Sequence, residues 1–234
     1  MLFRSAARLI AWLLQLQGWH TGLSCREGLF VNQRRLHADD PIGFEDAERL
    51  LINRQVQAAV FESDVRHLMT EGLPYDRCQV GVVTRMPGTA SLTDLYPGDD
   101  DRVPGYVRTQ IDVVLPSGAC VLNAEDDAVA GLSQYCDGET LFFASQEHHP
   151  RLAEHRAAGG RVAFWRESAL VLAQGAQETE VLSLQRPAVS RLLREGLLST
   201  TDMLVAACSA WALGMGAELI RAGIKSYGQS AAPH

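Results

Sequence analysis

Short apolar runs recur along the chain, and each ends at a polar residue. Those that end at a candidate polar side chain are Ala58–Phe61 before Glu62, Val80–Val83 before Thr84, Ala119–Leu122 before Asn123 and Leu141–Ala144 before Ser145. Runs of this kind are typical of strands that are buried on both faces of a sheet. Helical patterns separate them, at 44–52, 65–72, 106–115, 126–136 and 150–158. The alternation predicts an α/β fold with a mainly parallel sheet flanked by helices.

The beginning of the chain predicts one more buried element. Residues 6–17 are apolar on nearly every face, which indicates a buried helix that ends at Gly18. A short strand near 22–25 and a turn-rich stretch through 32–35 follow it. Residues 86–105, rich in Pro, Gly and Asp, predict an exposed loop.

The last third of the chain changes character. Three short strands over 161–184 are joined by turns, and they predict an antiparallel edge to the sheet. Thr200–Leu213 and Ala217–Tyr227 then predict a pair of helices, opened by a cluster of Ser and Thr residues.

Composition narrows the class of protein. The net charge is −7, which argues against a nucleic-acid partner held by electrostatics. The five cysteines lack metal-ligand spacing and indicate reduced thiols in a cytoplasmic protein.

Arg4, Arg8 and the apolar run behind them resemble a signal peptide, but Gln15 and Gln17 interrupt that run. No apolar stretch is long enough for a membrane span, and the sequence leaves the oligomeric state open, a homo-oligomer included.

The polar residues at the strand ends are the candidate site, because ligands of open parallel sheets gather at the carboxyl ends of strands. Glu62 is a hard oxygen ligand suited to Mg²⁺ on ATP phosphates, or alternatively a cap for the next helix. Asn123 and Asp126 suit contacts with a base and a ribose, whereas Asp126 is equally placed to cap the following helix. Spacing assigns no catalytic residue.

Longer segments resemble a known family. They are Tyr75-Asp-Arg-Cys-Gln-Val-Gly-Val-Val-Thr84, Arg108-Thr-Gln-Ile-Asp-Val-Val-Leu-Pro-Ser-Gly-Ala-Cys-Val-Leu-Asn-Ala-Glu-Asp126, Cys136-Asp-Gly, Ala153-Glu-His-Arg-Ala-Ala-Gly-Gly160, Ala210-Trp-Ala-Leu-Gly214 and Glu218-Leu-Ile-Arg-Ala-Gly223. From about residue 6 to 228 the chain resembles the C-terminal, Mur-ligase-like portion of the cyanophycin synthetases.

The resemblance implies a P-loop-type central Mur-ligase domain and an ATP-dependent, amide-forming reaction. In that family ATP phosphorylates a carboxylate, and the amine of arginine then attacks the acyl phosphate on the side chains of an aspartate polymer. By position, Glu62 matches the Mg²⁺-binding acid, and Asn123 and Asp126 match the nucleotide-contacting pair. ATP and Mg²⁺ are thus the implied cofactors.

The chain also departs from the family pattern. The GxxGK[ST] phosphate loop is missing before the helix that begins near Ala6, and Lys225 is the only lysine. Thr84-Arg85-Met86-Pro87 stands where Mur ligases carry a second metal ligand. We therefore expect residues 1–228 to be one central-type domain cut at its N-terminus, and 229–234 a tail with the third domain absent. The alternatives are an active ligase of which this is a fragment, a non-catalytic degenerate module, and a ligase that adds glutamate to folate.

Overall fold

A computed structural model describes residues 6–37, 43–88 and 102–229. Helices and strands alternate along most of this length. The elements are α1 Ala6–Leu16, β1 Thr21–Cys25, β2 Gly28–Val31, β3 Arg34–His37, α2 Phe44–Leu51, β4 Ala58–Phe61, α3 Val65–Thr70, β5 Cys78–Val83, α4 Val103–Asp112, β6 Val114–Asn123, α5 Asp127–Ala130, a 3₁₀ helix Gly131–Tyr135, β7 Glu139–Ala144, α6 Pro150–Ala157, β8 Arg161–Arg166, β9 Ala169–Gln174, β10 Gln177–Ser183, α7 Pro187–Arg194, α8 Thr200–Ala212 and α9 Ala217–Ser226.

The larger sheet of the described residues confirms the predicted fold class. It has six strands in the order β10-β9-β8-β7-β6-β5. Strands β5 to β8 are parallel, while β9 and β10 run antiparallel and form the predicted edge. Since β5, β6 and β7 are parallel and in register, their carboxyl ends meet at one edge of the sheet.

The second sheet places β4 away from the other parallel strands. It has four strands in the order β3-β2-β1-β4, with β4 parallel to β1. The expectation of a turn-rich stretch through 32–35 is wrong at its end, because 34–37 form strand β3 and the turn is confined to Asn32 and Gln33. Asn32 sits in the left-handed region with φ 53°, a conformation that asparagine tolerates well.

Two apolar clusters cover the faces of the larger sheet. One contains α1, α8 and α9, whose side chains pack on inward residues of β6, β7 and β8. The half-buried Ala58 and Val60 of β4 and Val80 and Val82 of β5 pack against this same cluster. The other cluster contains α4, α5 and α6 on the opposite face. The result is a sheet covered by helices on both sides, as the apolar strands predict.

The N-terminal helix is fixed by close contacts within the first cluster. Trp12 donates its indole N–H to the carbonyl of Gly223 on α9 over 3.0 Å. A Cβ at Gly223 would collide with the Leu13 side chain, so a larger residue there would require Leu13 to shift. Helix α8 begins with a capping box between Ser199 and Asp202, in agreement with the predicted cap cluster.

Several predicted boundaries need correction. The helix predicted at 126–136 is the single turn α5 followed by a 3₁₀ helix, and strand β6 begins at Val114, inside the predicted helix 106–115. The predicted loop 86–105 ends earlier, because α4 begins at Val103; its residues 89–101 lie outside the described part. Among the described residues, no helix has the length and apolar character to span a membrane.

Candidate functional site

Asn123 joins the carboxyl ends of β5 and β6. Its side-chain N–H₂ donates to the carbonyl oxygen of Thr84 over 2.9 Å, and its Oδ1 accepts from the backbone N–H of Glu125 over 3.0 Å. One bond spans to the neighbouring strand and the other closes a local turn. The side chain therefore ties the end of β5 to the turn that follows β6.

Asp126 caps the helix that follows β6. Its Oδ1 accepts from the N–H groups of Ala128 and Val129, each over 3.1 Å, as an N-cap does. Its Oδ2 accepts from the N–H of Met86 over 2.8 Å. The capping interpretation of Asp126 is thus correct, and the residue also attaches the segment after β5 to the segment after β6. Contact with a nucleotide stays a prediction.

Glu125 extends this network to β7. Its Oε1 accepts from the backbone N–H of Ser145 over 2.9 Å, and the Ser145 hydroxyl donates to the same oxygen. From the helix after β7, Arg151 of α6 donates to the carbonyl of Ala124 over 2.7 Å and pairs with Asp127 over 3.0 Å. Polar contacts thus link the ends of β5, β6, β7 and α6. We call Thr84, Asn123, Glu125, Asp126 and Ser145 the strand-end network.

Glu62 lies at the carboxyl end of β4, in the smaller sheet. Its backbone N–H donates to the carbonyl of Ser24 over 2.9 Å, which continues the pairing of β4 with β1. Its Oε2 lies 3.4 Å from the backbone N of Arg26. Before it, Phe61 stacks on Tyr75 with ring centroids 5.4 Å apart, and burial raises the pKa of Tyr75. The structure therefore holds Glu62 half-buried beside the end of β1, apart from the sheet that carries Asn123 and Asp126.

Asp64, rather than Glu62, caps the helix that follows β4. Its side chain accepts from the backbone N–H of Arg66 over 2.8 Å at the start of α3. Because Asp64 occupies the N-cap, Glu62 is two residues too early to cap that helix.

The structure limits how a metal would be held. Within the described ranges no group of three or more His, Cys, Asp or Glu side chains is arranged to hold a metal ion. Mg²⁺ bound to a nucleotide takes only one or two protein carboxylates, with phosphate oxygens and water as its other ligands. A single half-buried carboxylate such as Glu62 fits that role, and a site built of protein ligands alone does not.

Two members of this region escaped the sequence analysis. Glu125 stands between the two residues that were singled out, and Arg151 lies in the first turn of α6. The sequence feature that could have indicated Glu125 is its place in the polar segment Asn123-Ala-Glu-Asp126. In the structure each polar residue of this segment bonds to a residue that follows another strand.

Comparison of the sequence with known proteins found relatives of one kind. The chain is 24% identical over 232 residues to the cyanophycin synthetase of Synechocystis sp., and 23% identical over 231 residues to that of Geminocystis herdmanii. Each alignment covers 97% of this chain and 26% of the relative, so the chain spans about a quarter of the length of these relatives. No family model matches the sequence.

Comparison of the structure with solved structures gives the same fold. A UDP-N-acetylmuramoyl-L-alanyl-D-glutamate–2,6-diaminopimelate ligase superposes with a TM-score of 0.66 at 12% identity, over 98% of this chain and 45% of that one. E. coli FolC in complex with DHPP and ADP superposes with a TM-score of 0.58 at 13% identity, over 94% of this chain and 53% of that one. The chain thus has the α/β fold of the Mur ligases and FolC, and nearly its whole length is similar to a Mur-ligase-like quarter of the cyanophycin synthetases.

Proposed function

We propose that this chain is part of an ATP-dependent ligase that joins arginine to the side-chain carboxylates of an aspartate polymer. The observation that supports the proposal is the alignment with cyanophycin synthetases along 97% of the chain. In such a reaction the polymer carboxylate takes the γ-phosphoryl group of ATP and ADP leaves. The arginine amine then attacks the acyl carbon, an amide bond forms and phosphate departs.

The strand ends supply the roles that this chain's own residues would take. Glu62 would hold Mg²⁺, which neutralises charge on the phosphates. Asn123 and Asp126 would contact the nucleotide. Their present hydrogen bonds do not prevent this, because each carboxylate or amide oxygen has two lone pairs and the Asp126 Oδ2 accepts one bond, from Met86. The proposed location is the cytoplasm, where ATP is supplied.

A specific observation supports a second candidate, a non-catalytic module. Where Mur ligases carry a second metal ligand, this chain has Arg85-Met86-Pro87, and the Met86 amide is bound by Asp126. In this alternative the strand-end network has a structural role alone.

Arginine-dependent release of ADP distinguishes the two candidates. The protein to assay is the full-length one that contains this chain, with ATP, Mg²⁺ and an aspartate polymer, and with arginine present or omitted. The proposal expects ADP release and arginine incorporation to rise together, in equal amounts, only in the presence of arginine. A folded full-length protein that releases no ADP with these substrates would contradict the proposed reaction and favour the non-catalytic alternative. The 234-residue chain alone is the control, and we expect it to release none because it lacks the phosphate loop.

A further inference from the structure

Two cysteines that are distant in sequence meet at the beginning of β7. The Sγ of Cys120, on β6, lies 3.3 Å from the hydroxyl oxygen of Thr140. The Sγ of Cys136, just after the 3₁₀ helix, lies 3.8 Å from the carbonyl oxygen of Glu139. Because Glu139 and Thr140 are consecutive, both thiols lie against the same point of β7. Cys120 is fully buried, and Cys136 is half-buried beside it in the same apolar cluster.

Glycines hold the turn that carries Cys136 directly on β6. A Cβ at Gly138 would lie 2.3 Å from the carbonyl oxygen of Gly118, and a Cβ at Gly118 would lie 2.3 Å from that of Gln79. Real Cβ atoms do not come this close, so these positions accept only glycine without a backbone shift. The backbones of β5, β6 and the 136–138 turn are therefore in direct contact, which fixes Cys136 near Cys120.

The contact makes the two thiols chemically unequal. A hydrogen bond from the Cys120 thiol lowers the pKa of Cys136, with help from the backbone of Gly138 and against the effect of burial. The same bond, together with burial, raises the pKa of Cys120. Burial raises the pKa of Cys78 to about 11 and those of Cys25 and Cys208 to about 12. Among the five cysteines, Cys136 is thus the one whose surroundings favour the thiolate, the nucleophilic form, while those of the other four favour the thiol.

We propose that Cys120 and Cys136 form a reversible dithiol–disulfide pair that is oxidised by peroxides. The Cys136 thiolate attacks one peroxide oxygen and breaks the O–O bond, which gives a sulfenic acid on Cys136 and one molecule of water after protonation. The Cys120 sulfur then attacks the Cys136 sulfur, and the sulfenic oxygen leaves as a second water. Two thiols lose two electrons and two protons, and one hydrogen peroxide is reduced. A small dithiol restores both thiols by exchange.

The disulfide would join the 3₁₀ helix and its turn covalently to β6, three residues before Asn123. The bond would therefore restrain the loop between β6 and β7, which contains Glu125 and Asp126. This inference does not depend on the ligase function, because it rests only on the thiols and their surroundings.

Mapping the bond after oxidation tests the proposal. The reduced protein is treated with hydrogen peroxide, free thiols are blocked with N-ethylmaleimide, and a digest is analysed by mass spectrometry. We expect a linked pair of Cys120 and Cys136 peptides, which dithiothreitol separates. Cys136→Ser should abolish the linked pair, whereas Cys208→Ser, which removes a buried cysteine of the other cluster, should leave it unchanged. Circular dichroism confirms that each variant is folded.

Other oxidation products would overturn it. A disulfide of Cys136 with Cys78, or sulfinic acid at Cys136 with Cys120 still a free thiol, would show that the pair does not act together. A second measurement uses the native protein and requires no variant. Iodoacetamide at pH 7 should modify Cys136 at least about tenfold faster than Cys78, since the thiolate is the form that reacts. Equal rates at the two residues would contradict the nucleophilic role of Cys136.

Discussion

The two sheets end in acidic residues that are held in different ways. At the carboxyl ends of β5 to β7, Asp126 accepts three backbone N–H groups over 2.8 to 3.1 Å, and Asn123 and Glu125 bridge neighbouring strands. At the end of β4, the Glu62 carboxylate lies beside the end of β1, with its Oε2 3.4 Å from the backbone nitrogen of Arg26. Asp126 shows that a carboxylate shortly after an apolar strand can cap a helix and tie strands together. We expect Asp126 to act mainly on stability and Glu62 mainly on turnover.

On the proposed ligase function, the largest effect is expected from Glu62→Gln in the full-length protein. The change keeps the size of the side chain and removes its charge, so Mg²⁺ and the phosphates would be positioned poorly. We expect arginine addition to fall about 100-fold, roughly 3 kcal/mol of transition-state stabilisation, with a nearly unchanged melting temperature. Initial rates and thermal unfolding are measured on the same preparation.

Glu195→Gln is a matched control, because it removes a carboxylate at the exposed end of α7. It should change neither the rate nor the melting temperature appreciably. A Glu62→Gln protein that is destabilised but fully active would contradict the assignment of Glu62 to Mg²⁺. It would also show that Glu62, like Asp126, acts on stability.

The next largest effect is expected from Asp126→Ala, measured as stability. The variant loses the N-cap bonds to Ala128 and Val129 and the bond from Met86. We expect a loss of about 2 kcal/mol in the free energy of unfolding, since an N-cap contributes about 1 kcal/mol and the half-buried Met86 amide left without its partner adds to this. Urea unfolding measures it. Asp126→Asn keeps one acceptor oxygen and should lose less than half as much; equal losses would mean that charge rather than hydrogen bonding is what matters.

A smaller effect is expected from Asn123→Ala. It removes the bond to the Thr84 carbonyl and the bond from the Glu125 amide, and we expect about 1 kcal/mol of destabilisation. Combining it with Asp126→Ala tests whether the residues form one network. Because both tie the segment after β5 to the segment after β6, the double variant should lose less than the sum of the single losses. Strict additivity would show that the two residues act independently.

The strands that bear the candidate residues could be predicted from sequence because the evidence for them is local. An apolar run that ends at Glu62, Asn123 or Ser145 is a property of adjacent residues. By contrast, β3 is Arg34-Arg-Leu-His37, exposed at every position, so no apolar pattern marks it. Helix α7 was missed although its signal is local too: Pro187 stands at its first position, where proline is favoured, and its Val189 and Leu192 are buried at helical spacing.

The contacts of the site could not be predicted in the same way. Glu125 binds Ser145 and Asp126 binds Met86, pairs that are separated by 20 and 40 positions along the chain. Such partners are set by strand order and register rather than by local sequence. The separation of β4 from β5 into different sheets is a further example, since both are apolar runs of the same kind. The sequence therefore indicated which residues end strands, and only the fold shows which of them meet.

The smallest effect is expected from a carboxylate outside both strand ends, and it gives the baseline for the comparison. Glu178 on β10 pairs with Arg166 over 2.8 Å and with Arg156 over 2.6 Å, and Arg166 also pairs with Glu147. Hydrogen bonds from Arg166 and then Arg156 lower the pKa of Glu178 to about 2. The group is partly exposed, so solvent screens these pairs and we expect Glu178→Gln to cost only about 0.5 kcal/mol at pH 7.

The pH dependence of this small loss of stability distinguishes the ion pairs of Glu178 from the hydrogen bonds of Asp126 with backbone amides. The folded pKa of Glu178 lies below its usual value of 4.5, so the folded state binds this proton less readily than the unfolded state. The stabilisation is then fully present above about pH 5 and disappears as the pH falls toward 2. The difference in unfolding free energy between the native protein and Glu178→Gln should therefore shrink over that window, and it should also shrink in 1 M salt. Asp126→Ala measured at pH 7 in the same salt should keep its full loss, because its bonds to Ala128, Val129 and Met86 are short contacts with backbone amides. If salt weakened both variants equally, the strand-end network would be a set of surface charges like the one around Glu178, and the contrast between the two kinds of carboxylate would fail.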